Sequence, residues 1–113
     1  MFEQQHRTPT HLWVEAKIKE LNSKNIPAYI LQRGEKMDGL IFLKISNCIN
    51  KAVIVTQERN LDGDLEWIKT HADESIDEKQ ADEYLKRSSQ RDPDIWIIEI
   101  EHRELDLDQI ILS

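Results

Sequence analysis

The chain has 113 residues, 39% of them hydrophobic, and its 22 Asp and Glu against 15 Lys and Arg give a formal net charge of −7. Its longest wholly apolar runs are four residues, as in Leu40–Leu43 and Ile95–Ile98, which excludes a membrane-spanning helix. Cys48 is the one cysteine, which excludes a disulfide scaffold, and the grouped Ile, Leu, Val and Trp residues exclude a disordered tail.

In chain order, Thr8-Pro9 reads as a helix start, a capping hydroxyl followed by proline at the first helical position. Residues 10–24 then place Val14, Ile18 and Leu21 on one face, widened by Trp13 and Ala16. The segment 26–33 reads as a strand with its proline at the entry, and Gly34 to Gly39 as a turn. Residues 40–46 form a near-continuous apolar strand expected at the centre of a sheet, and residues 52–57 a third strand rich in β-branched side chains. Asp62-Gly63 marks a turn before a short strand at Leu65–Ile68. Ser75 and Glu78 have capping-box spacing and open a helix to about Gln90, with Ala81, Tyr84, Leu85 and Ser88 inward. Asp92-Pro93-Asp94 stops that helix. Residues 95–101 are a strand with Trp96, Ile98 and Ile100 on one face, and the aliphatic tail 105–112 is expected to pack as a last strand.

The order is helix, three or four strands, helix, strand. It predicts an α+β fold, a two-layer sandwich in which both helices cover one face of a mainly antiparallel meander. The length suits a single domain over residues 1–113, with residues 1–8 as a mobile N-terminus. The N-terminal Met-Phe-Glu-Gln-Gln-His-Arg lacks the pattern of a secretory signal, so a cytoplasmic location is expected.

Charge is uneven. Residues 1–56 hold eight basic and five acidic side chains, residues 57–113 seven and seventeen, so the acidic excess lies wholly in the second half. Asp73, Glu74, Asp77 and Glu78 crowd the start of the second helix and Lys86, Arg87 and Arg91 its end, an order that complements the helix dipole. The same acids would repel phosphates where a double-stranded-RNA-binding module presents lysines, which disfavours nucleic acid as a partner.

The stretch Arg91-Asp92-Pro93-Asp94-Ile95-Trp96-Ile97-Ile98-Glu99 sets a guanidinium and carboxylates at the mouth of a strand. Arg91 is placed to grip Asp94 or a ligand carboxylate, and Glu99 to face outward from mid-strand. With Arg33 these make a candidate binding face: Arg33, Arg91, Asp94 and Glu99. His6, His11, His71 and His102 are too scattered for a zinc site, the three glycines form no phosphate loop, and Cys48 reads as a buried small apolar residue.

Several of these segments recur together: His11-Leu12-Trp13-Val14, Ile26-Pro27-Ala28-Tyr29, Arg33-Gly34, and Asp92-Pro93-Asp94-Ile95-Trp96-Ile97-Ile98-Glu99-Ile100-Glu101. Their order resembles an alphaproteobacterial family catalogued as domain of unknown function 1491. The resemblance covers about residues 10–46 and 84–103, and Asp-Pro-Asp-x-Trp is its most specific part. It implies a compact bacterial cytoplasmic domain with no assigned activity.

The element order is also that of metal-dependent nucleases with a PD-(D/E)xK motif, which would place Glu15, Asp38 and Glu58 around a divalent cation. The third strand ends at Glu58 with no lysine at the required spacing, and Glu15-Ala16-Lys17 falls on a helix. The reading that remains is a non-enzymatic binding or adaptor protein without a cofactor. Its partner is an unidentified protein or a second copy met through an open sheet edge, with no membrane contact; a divergent phosphodiesterase is the alternative.

Overall fold

Six consecutive buried residues, Ile41–Ser46, can be shielded only mid-sheet with both faces covered, and that is where they lie. A computed structural model describes residues 8–111. The elements are α1 (Thr10–Ser23), β1 (Ala28–Gln32), β2 (Ile41–Ser46), β3 (Lys51–Arg59), β4 (Leu65–Lys69), β5 (Ile76–Asp77), α2 (Glu78–Arg91), β6 (Trp96–Glu101) and α3 (Leu107–Ile111). All six strands join one sheet in the order β1-β6-β2-β3-β4, with β5 also pairing β3. No helix among the described residues is long and apolar enough to cross a membrane. The expected mobile N-terminus lies, apart from Thr8, outside the described residues.

The α+β class holds, and so does the antiparallel meander, but the sheet is mixed, with one parallel pair. Strands β2, β3 and β4 run antiparallel in sequence, while β6 enters between β1 and β2, antiparallel to the first and parallel to the second. The two most fully buried strands thereby become neighbours, Ile41 opposite Trp96 and Ile45 opposite Ile100.

The layer count differs too. Val14 and Leu21 of α1 and Ile110 of α3 pack on Ile41, Leu43, Ile45, Trp96, Ile98 and Ile100. Ala81 and Leu85 of α2 pack on Phe42, Ile54, Ile95 and Ile97, the alternate side chains of the same strands. The helices therefore lie on opposite faces, and there are three layers rather than two. Because β2 and β6 are apolar on both sides, one covered face would have left half of each strand in water.

Local expectations at several element ends are also revised. Helix α1 begins after Pro9 with no side-chain cap; its first N–H groups, Thr10 and His11, donate to the carbonyls of Met37 and Lys36 at 3.1 and 2.9 Å. Asn25 ends it in the left-handed region at φ 64°, which asparagine tolerates. The capping box does not form. Ile76 is drawn into a short strand opposite Ala52, so α2 starts at Glu78, and the Asp77 carboxylate pairs with Lys51 at 2.8 Å. The tail forms the short helix α3 instead of a strand. Cys48 is exposed at the β2–β3 turn, not buried.

One loop fastens the sheet to α1. The Glu35 N–H donates to the Asp94 carbonyl at 2.9 Å, and Trp96 Nε1 donates to the Glu35 carbonyl at 2.7 Å. The Thr10 hydroxyl lies 3.2 Å from the carbonyls of both Met37 and Gly39. Such close approach requires glycine at Gly34, where a Cβ would stand 2.2 Å from the Asp94 carbonyl oxygen, a backbone atom that cannot swing aside. Gly34→Ala should therefore destabilise the fold by about 3 kcal/mol, read as a lower urea midpoint. Gly63→Ala should cost only about 1 kcal/mol, because Gly63 has a φ of 87° but open space around it.

Candidate functional site

Alternation along β2 turns Phe42, Lys44 and Ser46 toward α2. Lys44 thus places an ammonium inside an otherwise apolar layer, its side chain only 5% exposed. An isolated charge there would be costly, so carboxylates must converge on it. Glu99 is its cross-strand neighbour on β6, and Glu78 and Asp82 project from the first turns of α2 at i and i+4. Their oxygens lie 2.6 Å (Glu78), 2.8 Å (Asp82) and 3.2 Å (Glu99) from Nζ, one for each ammonium proton.

The network extends on both sides. The Ser46 hydroxyl donates to the second oxygen of Glu78. The Tyr29 hydroxyl lies 3.0 Å from Glu99 and 2.9 Å from Glu101, with one proton to give between them. Burial alone would push the Lys44 ammonium down, but its hydrogen bonds to Asp82, Glu78 and Glu99 outweigh that and raise its pKa above the ordinary lysine value. Burial and the hydrogen bonds to Glu101 and Glu99 likewise push the Tyr29 hydroxyl up. A lysine that acts as nucleophile or base needs its pKa lowered. Lys44 is held the other way, as a permanent cation.

The four residues of the expected binding face separate into two groups. Glu99 is half-buried and belongs to the Lys44 network rather than to an outward face. Arg33, Arg91 and Asp94 are exposed, and none of their side chains forms a hydrogen bond or ion pair among the described residues. Arg91 does not grip Asp94; the Asp94 N–H instead donates to the Asp92 carboxylate at 3.0 Å, in a turn that aims the chain into β6. Arg33 and Asp94 flank the fastened loop, where Glu35 meets the Asp94 carbonyl. The Glu35 carboxylate accepts the N–H groups of Asp38 and Met37 at 2.8 and 3.1 Å, which holds its pKa below the usual carboxylate range.

Glu15, Asp38 and Glu58 are all exposed and do not assemble. Among the described residues no three His, Cys, Asp or Glu side chains come together as a metal site. Glu58 shares the parity of Ile54 along β3 and so faces the α2 side, whereas Glu15 rides on α1 across the sheet. Sequence reasoning missed Lys44, Asp82 and Tyr29. The available signal was a lysine inside an apolar run, which demands counter-charges from elsewhere in the chain.

The chain belongs to the DUF1491 family, proteins of unknown function, whose sequence profile matches residues 8–107. It is similar to a DUF1491 family protein from Caulobacter crescentus CB15 seen in a crystal structure, with 28% identity and a TM-score of 0.78 over 86% of this chain and 90% of that one. An NMR structure of a DUF1491 family protein from the same organism gives 26% identity and a TM-score of 0.74 over 87% and 88% of the two chains. The solution structure of a protein from A. tumefaciens shares the fold, with a TM-score of 0.71 at 17% identity over 86% and 87%. The search of curated proteins gave no match.

Lys44 and Tyr29 both carry raised values in the folded protein, so the folded state keeps protons that the unfolded chain would release. The stabilisation they confer is complete below about pH 10 and is lost as pH climbs beyond it. Urea midpoints should fall steeply between about pH 10 and pH 11. Lys44→Met should remove the lysine's part of that dependence and leave the part carried by Tyr29, whose shift comes from burial and its bonds to Glu101 and Glu99. At neutral pH it should also cost about 3–5 kcal/mol, because Glu78 and Glu99 lose their cation. Asp82→Asn should cost no more than about 1 kcal/mol, since the Asp82 side chain is 63% exposed.

Proposed function

We propose that the protein is a small, non-enzymatic, cytoplasmic binding protein of adaptor type, which recognises a protein partner through Arg33, Arg91 and Asp94. The observation that carries this reading is the division of its charged groups. Lys44 is held as a cation by Glu78, Asp82 and Glu99, so it is not the neutral amine that a lysine base or nucleophile requires. Arg33, Arg91 and Asp94 remain exposed and have no side-chain hydrogen bond or ion pair among the described residues. Arg33 and Asp94 sit on backbone that the Glu35–Asp94 and Trp96–Glu35 hydrogen bonds hold in place. Charged groups on a rigid frame lose little entropy on docking, and guanidiniums grip partner carboxylates bidentately. The phosphodiesterase alternative has no comparable support, because Glu15, Asp38 and Glu58 are spread over two faces of the sheet.

The test is retention of a cellular partner on the immobilised protein, compared with the Arg33→Glu/Arg91→Glu variant. Retention should drop about tenfold or more in the variant, with an unchanged melting temperature. Equal retention by the two proteins would overturn the reading. So would a rise in melting temperature with Mg²⁺ or Mn²⁺ that Asp38→Asn abolishes.

A further inference from the structure

The sheet has two open edges, and they are not equivalent. At β1 the ladder is irregular between Ile30 and Gln32, and the Ala28 N–H is already taken by the Asn22 side chain at 3.1 Å. Such features blunt an edge against further pairing. At β4 the register with β3 runs without interruption from Val55 opposite Lys69 to Arg59 opposite Leu65. Thr70 N–H bonds the Ile54 carbonyl at one end, and Asn60 N–H bonds the Asp64 carbonyl at the other, both at 2.9 Å. These flanking bonds set the alternation between them. Leu65, Trp67 and Lys69 therefore turn their N–H and C=O groups away from β3, where the described residues offer them no partner.

We propose that two copies of this chain associate through antiparallel pairing of their β4 strands about a twofold axis at Trp67. That register sets Leu65 opposite the partner's Lys69 and Glu66 opposite the partner's Ile68, and brings the outward groups of Leu65, Trp67 and Lys69 to face their counterparts, for about six hydrogen bonds. An axis one residue earlier would oppose Glu66 to its own copy and leave Lys69 unpaired; one residue later would leave Leu65 unpaired. Only the Trp67 register both keeps like charges apart and uses every open group.

The side chains fit the same occupant. Leu65 is 47% exposed, beside a groove of about 420 Å³ whose wall combines Trp67, Leu107 and Ile111 with the charged Glu66, Lys69 and Asp108. Lys69 Nζ donates to the Glu74 carbonyl of its own chain at 3.2 Å; with that bond kept, the apolar stem of the partner's Lys69 would lie along Leu65 at the margin of that groove. Trp67 is braced by Trp13, their ring centroids 5.6 Å apart, which fixes its side chain against α1 at the centre of the strand. This contact lies at the opposite sheet edge from Arg33 and is independent of the partner-binding reading above.

Light scattering and sedimentation of the full chain, up to on the order of 100 µM, test the idea. The wild-type protein should reach twice its 13.4 kDa mass. Leu65→Lys should weaken the dimer about tenfold or more, since it opposes the partner's Lys69, whereas Leu65→Glu should preserve or tighten it. Leu65→Glu combined with Lys69→Glu should weaken it again. A monomer at every concentration would overturn the proposal. So would a dimer that responds equally to Lys and Glu at residue 65. Circular dichroism of each variant confirms the fold, and the Arg33/Arg91 retention assay reads the other surface separately.

Discussion

The burial of one ammonium governs much of this architecture. Lys44 lies mid-strand in β2, where every neighbouring side chain on the strand is buried, and its charge is tolerable only if compensated at close range. That requirement constrains two other elements. Strand β6 must lie beside β2 in the register that sets Glu99 opposite Lys44, and α2 must dock with Glu78 and Asp82 over the same point. A slip of one residue in β6 would bring Ile98 or Ile100 opposite the lysine and turn Glu99 into the other core. A buried ion cluster adds little net stability compared with an apolar replacement, but it penalises every arrangement that leaves the ion unpaired. Here the lysine specifies register more than it strengthens the fold.

A second constraint is carried by backbone rather than charge. Asp92-Pro93-Asp94 redirects the chain from α2 into β6, and the carbonyl of Asp94 then receives the Glu35 N–H. Gly34 and Gly39 allow that loop to come within contact of residues 94–96, and the Trp96 indole closes it by donating to Glu35. The carbonyls of Lys36 and Met37 in turn take the first N–H groups of α1. The most distinctive sequence in the chain thus has a structural use through its main chain, while the side chains of Arg33, Arg91 and Asp94 stay exposed and form no hydrogen bond or ion pair among the described residues.

What the sequence could show followed the range of the interactions. The faces of α1, α2 and β6 were legible because they are set by local periodicity: Val14 and Leu21, Ala81 and Leu85, Trp96 and Ile98 fall where a single element's geometry puts them. The position of β6 between β1 and β2 was not, because strand pairing over more than 50 residues leaves no local trace. The α1 cap was misplaced for the same reason, its acceptors lying in a loop 27 residues away. The tail was a different failure. Leu107, Ile110 and Ile111 have helical spacing, but aliphatic composition outweighed it and suggested a strand. Lys44 was passed over because three aliphatic neighbours dominate its window, although a charge in a strand buried on both faces is itself a demand for distant partners.

That demand gives the uneven charge of the chain a physical meaning. Residues 1–56 carry a basic excess and residues 57–113 all of the acidic one, and the two meet across the sheet. Lys44 pairs with Glu78, Asp82 and Glu99, and Lys51 with Asp77, each a contact between the halves. Two of the acids that crowd the start of α2 in sequence are positioned by these lysines instead, Asp77 by Lys51 and Glu78 by Lys44, and Asp82 joins Glu78 at the same ammonium. Their attraction draws α2 onto the face of the sheet that α1 and α3 leave uncovered. Exposed pairs such as Lys51–Asp77 add little to stability. The buried one ties the correct closure of the second half to the first, and so converts a compositional asymmetry into a selection among ways of folding the same strands.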